Sequence, residues 1–294
     1  MVPRTKYALV TGCGQGGIGE ALVKEYALHG FHPIATLLPS EPDNHLTEAG
    51  ITVFRLDVTE NDSVHELKRQ VVELTGGFLE ILVNNAGLCK PILYQNANTM
   101  VANLSLGYTM TAIDTDVSEA ERMFNVNILG PIRMVREFHE CIVGSSGTIV
   151  NIGSVGGIVP YIYGSSYNAT KAALHHWSNT LRVELSPLGV KVLTVISGNI
   201  GTNILKVDQN AKRELPSNTT DRFEYAARVV AQSSRTSPPA WFWYGKTTLL
   251  VRFLDTFAWR TDMLMWHMFS FRKLNKFHTR QQMKKRQMGN SEVI

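Results

Sequence analysis

Tyr167 and Lys171 stand four residues apart in Tyr167-Asn168-Ala169-Thr170-Lys171. On a helix that spacing puts both on one face. A free phenol titrates near pH ~10, and an ammonium beside it favours the phenolate and lowers that value. Such a pair can give a proton to a developing alkoxide, or take one from an alcohol, near neutral pH. Taken alone, the motif also reads as an ordinary helical tyrosine beside a solvated lysine. A second feature is needed to choose between them.

That feature lies near the start. An apolar run over 7–10 enters Thr11-Gly12-Cys13-Gly14-Gln15-Gly16-Gly17-Ile18-Gly19, and a helix-forming stretch follows. Glycines let a backbone turn sharply and approach a pyrophosphate, and a helix start offers free N–H groups and its positive dipole end. A glycine cluster alone is equally a structural turn. Its position at the first strand-to-helix junction favours the nucleotide reading.

Together these segments resemble the short-chain dehydrogenase/reductase family. The glycine motif carries one residue more than the family's usual spacing between Gly12 and Gly17. In this it is similar to the fungal NADPH-dependent 1-acyl-dihydroxyacetone-phosphate reductase-like branch. Gly12, Gly17, Ile18 and Gly19 match the cradle, Leu56-Asp57-Val58 the adenine-contacting turn, and Asn84-Asn85-Ala86-Gly87 the motif that supports the sheet and lines the cofactor. The resemblance covers about the first 205 residues. It implies that Asp57, Asn85, Ala86, Gly87, Tyr167, Lys171, Ile200 and Thr202 contact the cofactor. It also implies a catalytic set of Asn127, Ser154, Tyr167 and Lys171. Ser154 then bonds the substrate carbonyl oxygen, and Asn127 holds a water leading to the lysine. A buried asparagine capping a helix kink is the structural alternative for Asn127. Where the family has Pro-Gly after the sixth strand, this chain has Ser197-Gly198, which is expected to loosen that loop.

NADP(H) is the expected cofactor, with NAD second. A carboxylate at the end of the second strand would bind the ribose hydroxyls of NAD and repel a 2′-phosphate. Here that end reads Thr36-Leu37-Leu38-Pro39-Ser40. The relatives' usual arginine is missing there as well, leaving Ser40 as a candidate partner for the phosphate.

Positioning such a site requires a sheet. Strand-like runs over 7–10, 33–38, 53–58, 81–83, 147–152 and 190–196 alternate with helical stretches that include 20–29 and 63–75. The alternation predicts an α/β, Rossmann-like, doubly wound parallel sheet. Residues 1–236 form the expected domain, with a polar insertion loop at about 88–107. Residues 237–294 form a helical, aromatic and basic extension.

Composition narrows the class. At 44% hydrophobic and 18% charged residues, the 294-residue chain can bury a sizeable core. Cys13, Cys89 and Cys141 show neither metal spacing nor a disulfide framework, so no metal and a reducing compartment are expected. Met1 to Lys6 carries no secretory signal. The net charge of +4 rests on seven Lys/Arg without an acid over 272–286, which leaves the remainder at −3. A basic tail after an aromatic stretch fits a membrane surface or an anionic partner better than general nucleic-acid binding. Arg252, Asp255, Arg260 and Asp262 interrupt the aromatic stretch, so it does not span a bilayer. Two readings stand for it: an amphipathic helix lying on anionic lipid, or a lid or dimer interface with a solvated tail. The expected location is intracellular, either cytoplasmic or peripheral on the endoplasmic reticulum or a lipid droplet. The expected activity is ketone/alcohol interconversion on a lipid-like or polycyclic apolar substrate, as in fungal secondary metabolism, with acyl-dihydroxyacetone phosphate as the alternative. The sequence offers no fixed cation for such a phosphate. A cofactor-binding sensor or scaffold without turnover is the reading from another class.

Overall fold

The computed structural model describes residues 4–88, 112–161, 164–202 and 219–257. Most of the expected insertion loop and the whole basic run 272–286 lie outside these residues. Seven strands pair in parallel in the order β3-β2-β1-β4-β5-β6-β7. They are β1 (Lys6–Val10), β2 (Phe31–Leu37), β3 (Thr52–Arg55), β4 (Ile81–Asn84), β5 (Thr148–Ile152), β6 (Lys191–Ser197) and β7 (Trp241–Tyr244). The helices are α1 (Ile18–Leu28), α2 (Asn44–Thr47), α3 (Asn61–Thr75), α4 (Val117–Phe124), α5 (Gly130–Gly144), α6 (Ser165–Leu185), α7 (Arg222–Ser233) and α8 (Thr248–Phe257).

Side chains alternate across the pleat and feed a core on each face. Ala8 and Val10 pack with Leu22 of α1 and Val229 of α7 on one face. Leu9 packs with Leu67 of α3 and Phe138 of α5 on the other. This is the doubly wound arrangement that the alternation of runs implies. The chain leaves β1 toward β2 and β3, then returns to lay β4 on the other side of β1. The strand order reverses there, and the carboxyl ends of β1 and β4 bound a crevice.

One element departs from expectation. Trp241–Tyr244, assigned by sequence to the C-terminal extension, is the seventh strand and pairs with Thr194–Ser197 of β6. Four consecutive aromatics suit a pleated, half-buried surface, so the sheet continues past residue 236. The compact unit carrying the sheet extends from Met1 to Arg252, and a second unit comprises Phe253–Ile294. No helix among the described residues is long and apolar enough to cross a membrane.

Candidate active site

The glycine turn is built by close backbone approach. Gly12 takes φ +71°, and a Cβ there would lie 2.9 Å from Ala86 Cα. A Cβ on Gly19 would overlap Gly12 O and lie 2.7 Å from Asn85 Nδ2. Asn85 Nδ2 donates to the carbonyls of Thr11 and Gly12, both at 2.9 Å. Thr11 Oγ1 in turn accepts from the N–H groups of Asn85 and Ala86, both at 3.0 Å. The turn after β1 is thereby locked to the loop after β4. Glu20 in the first turn of α1 accepts the Gly16 N–H at 2.6 Å and holds Lys24.

The other half of the crevice comes from β5, α6 and the link between α4 and α5. That link is a π-helical turn, Asn125–Leu129, a form frequent at functional sites. It turns Asn127 inward until it is 1% exposed. Asn127 Oδ1 accepts the Leu88 N–H at 2.8 Å, and Nδ2 donates to Leu88 O and to Thr170 Oγ1. Lys171, 7% exposed, donates from Nζ to Ile152 O at 2.9 Å. Its ammonium lies 5.8 Å from the centre of the Tyr167 ring. Ser154 follows β5, and its Oγ accepts the Gly156 N–H at 3.1 Å. Gly156 separates the two polar groups: a Cβ there would lie 3.4 Å from both Ser154 Oγ and Tyr167 Cε1.

One cavity of about 650 Å³ joins these parts. Gly12, Gly17, Ile18, Asp57, Asn85, Ala86, Gly87, Ser154, Tyr167, Lys171, Ile200 and Thr202 all line it. Two expected residues do not. Gly19 lies beneath the turn, where only hydrogen fits, and Asn127 stands behind the wall on Leu88 and Thr170. The cradle that a Cβ would fill, the N–H groups at the start of α1 and the cavity's extent fit a dinucleotide.

Three expectations need correction. The loop after β6 is not loosened by Ser197. The Ser197 and Tyr225 hydroxyls hydrogen-bond at 2.6 Å in the core, the Gly198 N–H donates to Tyr244 O, and the Gly201 N–H donates to Thr220 O. A carboxylate does reach the region beyond β2. Glu41 curls back, accepts the Leu38 N–H at 2.9 Å, and leaves Oε1 3.0 Å from where a Gly14 Cβ would stand. Arg55 holds that turn through Leu38 O and Glu41 O. Finally, a cation does line the cavity: Arg122 of α4. The sequence hides Glu41 because it lies beyond a turn, and Arg122 because α4 carries several charges with no sign of which face the cavity.

The sequence profile of the short chain dehydrogenase family matches residues 6–213. This chain belongs to that family. It is 57% identical to the short-chain dehydrogenase fogD of Aspergillus ruber over 295 residues, covering 94% of this chain and 97% of that protein. It is 39% identical to the NADPH-dependent 1-acyldihydroxyacetone phosphate reductase of Schizosaccharomyces pombe, over 68% of this chain and 61% of that one. In three dimensions it resembles a short-chain dehydrogenase from Streptomyces avermitilis, with a TM-score of 0.72 at 25% identity, covering 92% of this chain and 98% of the other. It is accordingly an oxidoreductase of the short-chain dehydrogenase type.

Proposed function

We propose that this enzyme uses NADP(H) to interconvert a ketone and a secondary alcohol on a lipid-like or polycyclic apolar substrate, in a fungal secondary-metabolite route. The observation that carries the reading is the convergence of Ser154, Tyr167 and Lys171 on one cavity with the glycine cradle. NADPH, when bound, supplies the hydride. Ser154 Oγ donates a hydrogen bond to the carbonyl oxygen, where negative charge develops. Tyr167 gives its phenolic proton to that oxygen, and the Lys171 ammonium favours the resulting phenolate. Lys171 also steadies the ribose while anchored to Ile152 O. Asn127 orders the loop after β4 against α6 through Leu88 and Thr170. Gly12, Gly17, Ile18 and Asp57 hold the adenosine and pyrophosphate. Gly87, Ile200 and Thr202 flank the nicotinamide.

An apolar substrate suits Val155 and Tyr161, which line the cavity with Ser154. NADP is supported by the NADPH-dependent relative. Glu41 favours NAD as the second cofactor reading, because a carboxylate near the ribose accepts its hydroxyls. Arg122 and the same relative favour an acyl-dihydroxyacetone phosphate as the second substrate reading. The basic run 272–286 supports peripheral contact of the extension with anionic lipid.

The test is consumption of NADPH and of NADH by the purified full chain. The substrates are a panel of polycyclic ketones and 1-acyl-dihydroxyacetone phosphate. Turnover of cyclic ketones with NADPH preferred is expected. Turnover of the acyl phosphate alone would move the enzyme to lipid synthesis, an NADH preference would reassign the cofactor to NAD, and no turnover on either substrate class would overturn the reading.

A further inference from the structure

His175 lies one helical turn beyond Lys171 on α6 and has no part in the chemistry above. It is 3% exposed. Its Nε2 meets the backbone N–H of Ser154 at 3.2 Å. The N–H donates, so Nε2 carries no proton, and the ring's proton sits on Nδ1. Nδ1 is buried and has no hydrogen-bond partner.

The loop that carries Ser154 wraps this ring closely. A Cβ on Gly153 would overlap Nε2, and one on Gly157 would lie 2.5 Å from Cε1. Both positions admit only hydrogen while the imidazole is present. Trp241 of β7 tilts against the ring from another side, 5.6 Å between centroids. Burial, and after it the Lys171 charge, push the imidazole's pKa down to about 3. The ring therefore stays neutral and its Nε2 stays an acceptor at any working pH. A buried histidine that leaves one nitrogen unsatisfied calls for an explanation, and its hydrogen bond goes to the residue whose hydroxyl faces the reacting carbonyl.

We propose that His175 is a positioning residue: its Nε2 fixes the backbone of Ser154 between two glycines that close on the imidazole, and so aims Ser154 Oγ into the cavity. This rests on the reading of Ser154 as the group that polarises the carbonyl. A small misplacement of a reacting group costs rate far more than binding. Loss of the acceptor is therefore expected in kcat, with little change in KM or in nucleotide affinity.

The experiment compares wild type, His175→Gln and His175→Phe in the full chain. Gln keeps an acceptor at the reach of Nε2, and Phe keeps the ring without it. Backbone amide exchange over residues 153–157 is followed by mass spectrometry, with kcat, KM and NADPH affinity alongside. Phe should speed exchange in that segment and lower kcat roughly 10- to 100-fold, with NADPH affinity unchanged. Gln should restore most of both. Unchanged exchange in Phe would overturn the proposal whether or not any ketone turns over. Losses in both variants that merely follow the melting temperature would overturn it too. A wild type inactive on every ketone, with exchange differing as expected, would overturn the ketone reading and leave the hold on the loop standing. Nitrogen NMR of the wild-type imidazole needs no variant: protonated Nδ1 and bare Nε2, unchanged from about pH 5 to 8, are expected. A ring titrating in that range would contradict the proposal.

Discussion

His175 ties the site to the stability of the fold through its proton. An ordinary histidine titrates near 6.5, and here burial, then the nearby Lys171 charge, lower that to about 3. Above pH 6.5 neither the folded nor the unfolded state binds the proton, and the contribution is complete. Between 6.5 and 3 the unfolded chain takes up a proton that the folded ring refuses, so stability falls as the medium is acidified. The slope from this group is at most about 1.4 kcal/mol per pH unit. Urea unfolding at a series of pH values should show it, and His175→Gln should flatten the curve below pH 6.5. Equal slopes in the two proteins would contradict the assignment. Tyr167 and Lys171 were expected from their spacing of four and Ser154 from the family resemblance, and all three line the cavity. His175 was not, because its partner is a backbone N–H 21 residues away. Its spacing of four from Lys171 was the available signal. Glu41 stayed hidden for a similar reason, since a turn returns it to Leu38.

Among the elements, the loop after β6 shows how a substitution can be compensated elsewhere. Proline would fix one backbone angle. Ser197 instead bonds Tyr225 on α7, and burial pushes the Tyr225 phenol above its ordinary range despite that bond. The pair links the end of β6 to α7, a helix packed on α1. Tyr225→Phe leaves the Ser197 hydroxyl buried without its partner and should cost about 1–3 kcal/mol in urea unfolding. A cost near zero would show that backbone bonds alone hold the loop. The strands β1 to β6 were legible because apolar runs bounded by turns recur along the chain. β7 was missed because four aromatics at the head of an aromatic stretch read as part of that stretch. Their β propensity was the signal that could have separated them. The π-helical turn at Asn127 was unreadable, since nothing in Phe124-Asn125-Val126-Asn127 distinguishes it from a continuing helix.

For the whole molecule, the order of strands decides where chemistry can occur. Reversal between β1 and β4 opens the crevice at their carboxyl ends, and the cradle, Asn85 and the Tyr167 helix converge there. The doubly wound sheet was readable from alternation alone, whereas its outer limit was not. β7 pairs with β6 and Trp241 packs on His175. A chain cut after residue 236 should therefore lose its cooperative thermal transition in circular dichroism, and an unchanged transition would show that β7 is dispensable. The central claim is that Tyr167 delivers the proton in an NADP(H)-dependent ketone reduction. Its most direct test is kcat for Tyr167→Phe against wild type on the best ketone, with NADPH affinity measured on both. Turnover lower by about 10²- to 10⁴-fold with NADPH still bound is the expected result. Near-normal turnover in the variant would contradict the account.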